Sequence, residues 1–237
     1  MSNTLDLKSC IDDLVVANRI LARFGVLDGF GHVSVRHPQH PQRFLLSRSL
    51  APELVTADDI MTFDEDSEAV GADDRKPYLE RYIHGEIYRA RPDVHAVVHS
   101  HSPSVIPYAG SSVRLRPIYH MAGFLGAGAP VFDIRCCFGD TDMLVRNRDH
   151  GKALAATLGQ GTISLMRGHG FVAAGRDIQV AVYRAVYTEM NAALQQKAIG
   201  LGGDITYLND AEAALADEMM GGVMSRPWEL WKKKAFD

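Results

Sequence analysis

The run Val94-His95-Ala96-Val97-Val98-His99-Ser100-His101 limits the fold more than any other stretch of the chain. Its apolar centre reads as a buried strand, and it ends in two imidazoles separated by one residue. Successive residues of a strand point to opposite faces, so His99 and His101 share a face, about 7 Å apart at roughly 3.3 Å per residue. Two imidazoles on one side can grip a single ion. Upstream, Leu79, Ile83, Ile87 and Tyr88 predict a helix that carries Glu80 and is closed by Arg91-Pro92-Asp93. On that helix Glu80 and His84 would sit one turn apart on the same face. A carboxylate on a helix before a strand ending in His-Ser-His is the pattern of a metal site built by both elements.

A third nitrogen ligand is available in Arg167-Gly168-His169-Gly170, where flanking glycines allow a tight turn that aims His169 at the same centre. Three His and one carboxylate suit a borderline divalent ion such as zinc, manganese, iron or cobalt. His37, His40, His84, His95 and His150 are read as surface or internally satisfied histidines.

With 237 residues, 46% of them apolar, the chain can bury a substantial core, and no linker divides it. One domain over 1–237 is expected, with 206–237 a C-terminal tail docking near a neighbouring subunit. The charge of -4 is mild and the basic residues are scattered, which gives no reason to invoke nucleic acid. No apolar run reaches the roughly 18 residues of a membrane span, and Asp6, Asp12 and Asp13 interrupt the N-terminal region. Three Cys, two of them adjacent, make no disulfide framework, and a reducing cytoplasm is expected.

Periodicity predicts helices over 5–24, 104–109, 141–158, 177–199 and 210–220, and strands over 32–36, 43–48, 115–119, 131–134, 162–166 and 171–174. Residues 53–64 read as a short helix or turn feeding a strand, and 64–74 as an acidic surface loop. Ser47-Arg48-Ser49 offers hydroxyls and a guanidinium to an anion. Gly123, Gly126 and Gly128 mark a close-packed turn without a Walker or dinucleotide pattern, so no organic cofactor is expected. Trp228 and Trp231 are costly to leave in water and should dock, with a neighbouring subunit as the expected place.

Taken in order, Gly-x-x-Ser after the first helix, Glu opening the next, Tyr-Arg-Ala-Arg-Pro-Asp-Val, Val-Val-His-Ser-His and the late Gly-His-Gly resemble the class II aldolase/adducin family over residues 5–200. The resemblance implies a single-domain α/β/α sandwich around a mostly antiparallel sheet, and a homotetramer with active sites between subunits. It implies one divalent metal per subunit on His99, His101 and His169, with Glu80 the acid/base residue or a further ligand.

The family's sugar-phosphate aldolases seat the phosphate in three patches of small residues, and here those patches read Gly31-His32-Val33-Ser34, Ser47-Arg48 and Tyr78-Leu79. Losing small hydroxyl donors while gaining His, Arg and Tyr argues against a phosphosugar and for a flatter, carboxylated substrate. Candidate substrate contacts are therefore His32, Ser34, Ser47, Arg48, Ser49 and Tyr78. With Arg116-Pro117-Ile118-Tyr119-His120-Met121 and Arg226-Pro227-Trp228, the chain resembles the family's decarboxylase branch. That resemblance implies metal-dependent decarboxylation of an ortho-hydroxy benzene or pyridine carboxylate in aromatic catabolism. Arg48 would clamp a second carboxylate, and Tyr119 or His120 would return a proton to the ring. The alternatives are an aldolase or epimerase on a sugar or hydroxy acid, a non-haem iron oxygenase, and a non-catalytic adducin-like module. The presence of all three His and the Glu weighs against the last.

Overall fold

A computed structural model describes residues 6–236. In chain order the elements are α1 (Leu7–Arg23), β1 (His32–Arg36), β2 (Phe44–Ser47), β3 (Ile60–Phe63), α2 (Tyr82–Ala90), β4 (Ala96–Ser100), α3 (Ile106–Ala109), β5 (Val131–Phe132), α4 (Arg135–Phe138), α5 (Arg148–Leu158), β6 (Ile163–Met166), β7 (Gly170–Gly175), α6 (Ile178–Leu201), α7 (Asp210–Gly221) and α8 (Ser225–Lys234). Three short 3-10 turns lie between them, one of which spans His120–Leu125. The seven strands form one sheet in the order β3-β2-β1-β4-β7-β6-β5. Every neighbouring pair is antiparallel except β5 and β6.

Alternation along the central strands divides the core in two. Val33 and Val35 of β1, Ala96 and Val98 of β4, and Phe171 and Ala173 of β7 pack with residues of α1, α6 and α8. Val97, Val172 and Ala174 face the other way, against Ile83, Ile87 and Tyr88 of α2 and Leu154, Ala155 and Leu158 of α5. The result is helix, sheet, helix: the expected single α/β/α sandwich, with β4 and β7 at its middle.

Three expectations are corrected. Residues 115–119 form no strand; the side-chain amides of α6 take the place of a strand partner. Gln195 Oε1 accepts from the Arg116 N–H at 3.0 Å and Asn191 Oδ1 from the Ile118 N–H at 3.0 Å. The helix expected over 141–158 begins only at Arg148, where Asn147 Oδ1 caps it by accepting from the His150 N–H. Residues 141–147 are irregular, and Met143 has a positive φ of 72°. Glu80 precedes its helix instead of lying in it: α2 starts at Tyr82, and the Glu80 carbonyl accepts from the Ile83 N–H.

The tail folds as α7 and α8. Asn209 and Glu212 form a capping box at the start of α7. Trp228 and Trp231 are buried within the same chain, with Trp231 set edge-on to Phe24 at 5.1 Å and beside Tyr187 at 6.2 Å between ring centres. Both rings find their cover in α1 and α6 of their own chain.

Candidate active site

Antiparallel pairing sets His32 of β1 directly opposite His99 of β4, and β7 continues the sheet on the other side of β4. The side-chain alternation that sends Val97 toward α2 sends His99 there also, and His101 follows just beyond the strand end. His169 arrives from the turn between β6 and β7. Two glycines make that approach possible. Gly168 has a φ of 65°, and a Cβ at Gly170 would collide with the Ser100 carbonyl oxygen.

The three imidazoles converge through the same nitrogen. His101 Nε2 lies 3.1 Å from His99 Nε2 and 3.0 Å from His169 Nε2. Glu80 Oε2 lies 3.6 Å from His99 Nε2 and 3.4 Å from His169 Nε2. One ligand atom from each of the four residues fits within 4.8 Å of the others. The residues behind them fit a metal as well. His99 Nδ1 is 3.2 Å from the Phe171 carbonyl and His169 Nδ1 is 3.0 Å from the Met143 carbonyl. Each Nδ1–H therefore donates outward, which leaves the Nε2 lone pair facing the centre, the arrangement that metal-binding histidines use. Glu80 Oε1 accepts from the Val145 N–H at 2.8 Å, leaving Oε2 for the cluster. Burial raises the Glu80 carboxyl, but His169 and His99 beside it outweigh that and hold the group well below the usual carboxylate range. Burial, with His99 and His169 beside it, lowers His101 to about 4. These residues can hold a divalent ion with neutral nitrogens and one anionic oxygen.

The expected substrate contacts divide. His32 lies beside the cluster, its ring centre 5.0 Å from that of His99 and 4.7 Å from that of Tyr78. Tyr78 donates to the Leu50 carbonyl and accepts from Ser47 Oγ at 3.4 Å, so His32, Tyr78 and Ser47 form one continuous wall. Arg48 extends that wall, but its Nε is held by Asp59 Oδ1 at 2.7 Å, which leaves its terminal nitrogens to meet an anion. Ser49 donates its backbone N–H to the Lys76 carbonyl. Ser34 is fully buried, and its hydroxyl is taken up by His84 Nδ1 and Tyr88 Oη. Tyr119 and His120 stand away from the cluster in this chain. Tyr119 packs with Tyr187 in the core on the α1 and α6 face, across the sheet from the histidines.

The sequence reading missed Met143 and Val145, whose main-chain groups orient His169 and Glu80; the Asn147 cap, which ends the irregular stretch, was the readable clue. It also missed Phe30, 70% exposed with its ring centre 6.3 Å from that of His101, an apolar surface at the mouth of the site. His84, read as a structural histidine, is hydrogen-bonded to His32.

Residues 12–196 match the class II aldolase and adducin N-terminal domain family. The chain is 39% identical to decarboxylase tropJ of Talaromyces stipitatus over 91% of this chain and 90% of that protein. It is 29% identical to 3,4-dihydroxyphthalate decarboxylase of Arthrobacter keyseri over 88% and 86%. Among solved structures it superimposes on an L-fuculose 1-phosphate aldolase from Glaciozyma antarctica with a TM-score of 0.79 at 21% identity, covering 99% of this chain and 93% of that one. The converging histidines, the sheet order and these likenesses agree: the chain belongs to the class II aldolase and adducin family, as a lyase several of whose relatives are decarboxylases.

Proposed function

We propose that the chain is a divalent-metal-dependent decarboxylase of an ortho-hydroxy aromatic acid, benzene or pyridine, that carries one or two carboxylates. The observation that carries this reading is the convergence of three Nε2 atoms and one Glu80 oxygen beside a wall of His32, Tyr78 and Arg48, where phosphosugar enzymes place small hydroxyl residues. The decarboxylases tropJ and 3,4-dihydroxyphthalate decarboxylase, by their names, support the same reaction class.

His99, His101, His169 and Glu80 would hold the ion, manganese, iron, cobalt or zinc. When bound, it supplies Lewis acidity and a template for a ring hydroxyl and its neighbouring carboxylate. Glu80, pinned through Oε1 by Val145, keeps Oε2 free to take or relay the hydroxyl proton. The terminal nitrogens of Arg48 suit a second carboxylate as a bidentate partner. Loss of CO2 leaves the bonding electron pair on the ring carbon, and a proton must return there. Tyr119 or His120 suits that task only from a neighbouring subunit, since Tyr119 packs on the far side of the sheet from its own cluster and His120 lines a cleft there with Tyr187 and Trp231. A homotetramer with sites between subunits meets this requirement.

The deciding experiment measures CO2 release by metal-stripped protein reloaded with each of the four ions, on a panel of ortho-hydroxy aromatic mono- and dicarboxylates. Metal-dependent release is expected. Aldehyde formation from hydroxy acids or sugars, with no CO2 from any aromatic acid, would return the chain to the aldolase reaction.

A further inference from the structure

Behind His32 runs a buried chain of hydrogen bonds. His32 Nδ1 lies 2.6 Å from His84 Nε2, His84 Nδ1 lies 2.6 Å from Ser34 Oγ, and Ser34 Oγ lies 2.7 Å from Tyr88 Oη. All four side chains are buried. The 2.6 Å between His32 Nδ1 and His84 Nε2 holds one hydrogen, so the two buried rings are not both charged, and with no carboxylate bonded to either each carries a single ring proton.

Neutral rings leave two ways to run hydrogens along the chain. In the first, His32 donates from Nδ1 to His84, His84 to Ser34, and Ser34 to Tyr88. The phenol hydrogen is then stranded, because Ser34 is the only side chain among the described residues that meets Tyr88 Oη. In the second, Tyr88 donates to Ser34, Ser34 to His84 Nδ1, and His84 Nε2–H to His32 Nδ1, so every hydrogen inside the chain finds an acceptor and only the outermost, on His32, is left to face the site. A buried O–H without an acceptor is the costlier state, so the second direction holds. It leaves the hydrogen of His32 on Nε2, the ring atom that takes no part in the chain. His32 faces His99 across the β1 and β4 pair, so this N–H lies beside the cluster.

We propose that Tyr88, Ser34 and His84 fix His32 as its Nε2–H tautomer, making it a neutral, pre-oriented hydrogen-bond donor to an anionic oxygen of the aromatic acid, with His84 and Tyr88 as positioning residues. The identity of that oxygen rests on the decarboxylase reading; the direction of the chain does not. A donor locked from behind requires no reorientation when substrate arrives, and substrates without an oxygen at that point leave a buried N–H unpaired.

The test uses the full-length protein loaded with zinc and labelled with 15N-histidine, with His32→Asn assigning the resonance. Long-range 1H–15N spectra should show His32 protonated on Nε2, and ortho-hydroxybenzoate should shift that Nε2–H. A His32 protonated on Nδ1, or an Nε2–H indifferent to the ligand, overturns the proposal. In turnover, His84→Leu removes the donor to His32 and should lower kcat/KM on the order of tenfold to a hundredfold, chiefly through KM, with metal content unchanged. His84→Gln, which restores an N–H at that point, should recover most of the loss. Equal losses for Leu and Gln, or loss of metal from His84→Leu, would make His84 a packing residue and sink the idea. Tyr88→Phe should let the Nδ1–H tautomer of His32 appear in the spectrum. If no panel acid loses CO2, the decarboxylase reading fails alone, since the two spectral measurements still decide the tautomer and its ligand.

Discussion

At the residue scale, Glu80 is divided between two tasks: one oxygen takes the Val145 N–H and the other faces His99 and His169. Glu80→Gln keeps an oxygen and the shape while removing the base. If proton transfer is the main role of Glu80, the variant retains metal and loses turnover by about 10²-fold or more, as measured by metal analysis beside CO2 release. Parallel loss of metal would make the carboxylate chiefly a ligand. Arg48 has a different constraint, because Asp59 holds its Nε and fixes the plane of the guanidinium. Burial works against the Asp59 charge, but hydrogen bonds from Thr56 and Arg48 keep that carboxyl below its ordinary value, so the pair stays ionised. Arg48→Lys should weaken dicarboxylate binding by about tenfold and leave a monocarboxylate nearly unaffected; equal KM changes for both would remove Arg48 from the site. The His-x-His pair, His169 and Glu80 were legible because residue type and spacing alone carry them. Ser34 was not: only the tertiary pairing of β1 with α2 consumes its hydroxyl.

At the scale of elements, the site depends on how closely β7 can approach β4. Gly170 is where the two backbones meet, and a methyl there would strike the Ser100 carbonyl. Gly170→Ala should push β7 and His169 away from His101, at a cost of more than about 2 kcal/mol, with metal affinity falling together with stability. Calorimetry of the metal-free and metal-loaded variant checks this, and an unchanged metal affinity would show that the turn tolerates the shift. Long amphipathic elements such as α1 and α6 were readable from period alone, as were the central strands. The segment 141–147 was not, because its order comes from what it touches: Met143 and Val145 give main-chain groups to His169 and Glu80, and no periodicity encodes that. Residues 115–119 look like a strand for the converse reason. Their alternation suits one, but the amides of Asn191 and Gln195 reach the backbone first.

At the scale of the whole molecule, two layers of helix hold the sheet, and the C-terminal tail closes one of them. Trp231 rests on Phe24 and Tyr187, so Trp231→Ala should lower the unfolding free energy by about 3–5 kcal/mol. Urea unfolding followed by the remaining fluorescence and by circular dichroism reads this, and a change below about 1 kcal/mol would mean the tail contributes little to the core. The buried histidines also set a pH dependence. Burial lowers His84 from 6.5 to about 3, so as pH falls below 6.5 the unfolded chain gains a proton that the folded one refuses. Stability contributed by neutral His84 is complete above pH 6.5 and is lost progressively as pH falls from there toward about 3. The urea midpoint should thus be lower at about pH 5.5 than at about pH 7.5. A midpoint that rose on acidification would contradict a buried neutral pair. Among the described residues no helix is long and apolar enough to cross a membrane.

Strand β4 serves both layers at once. Its Ser100 hydroxyl donates to the Val26 carbonyl on one side, while His99 and His101 face the other. Inserting or deleting one residue here would exchange the two sets and lose both the anchoring and the chemistry, whereas the wall of His32, Arg48 and Tyr78 belongs to separate segments. The two parts therefore answer to different constraints: a substitution in the wall alters what can lie beside the cluster without moving it, while the register of β4 fixes the cluster and the anchor together.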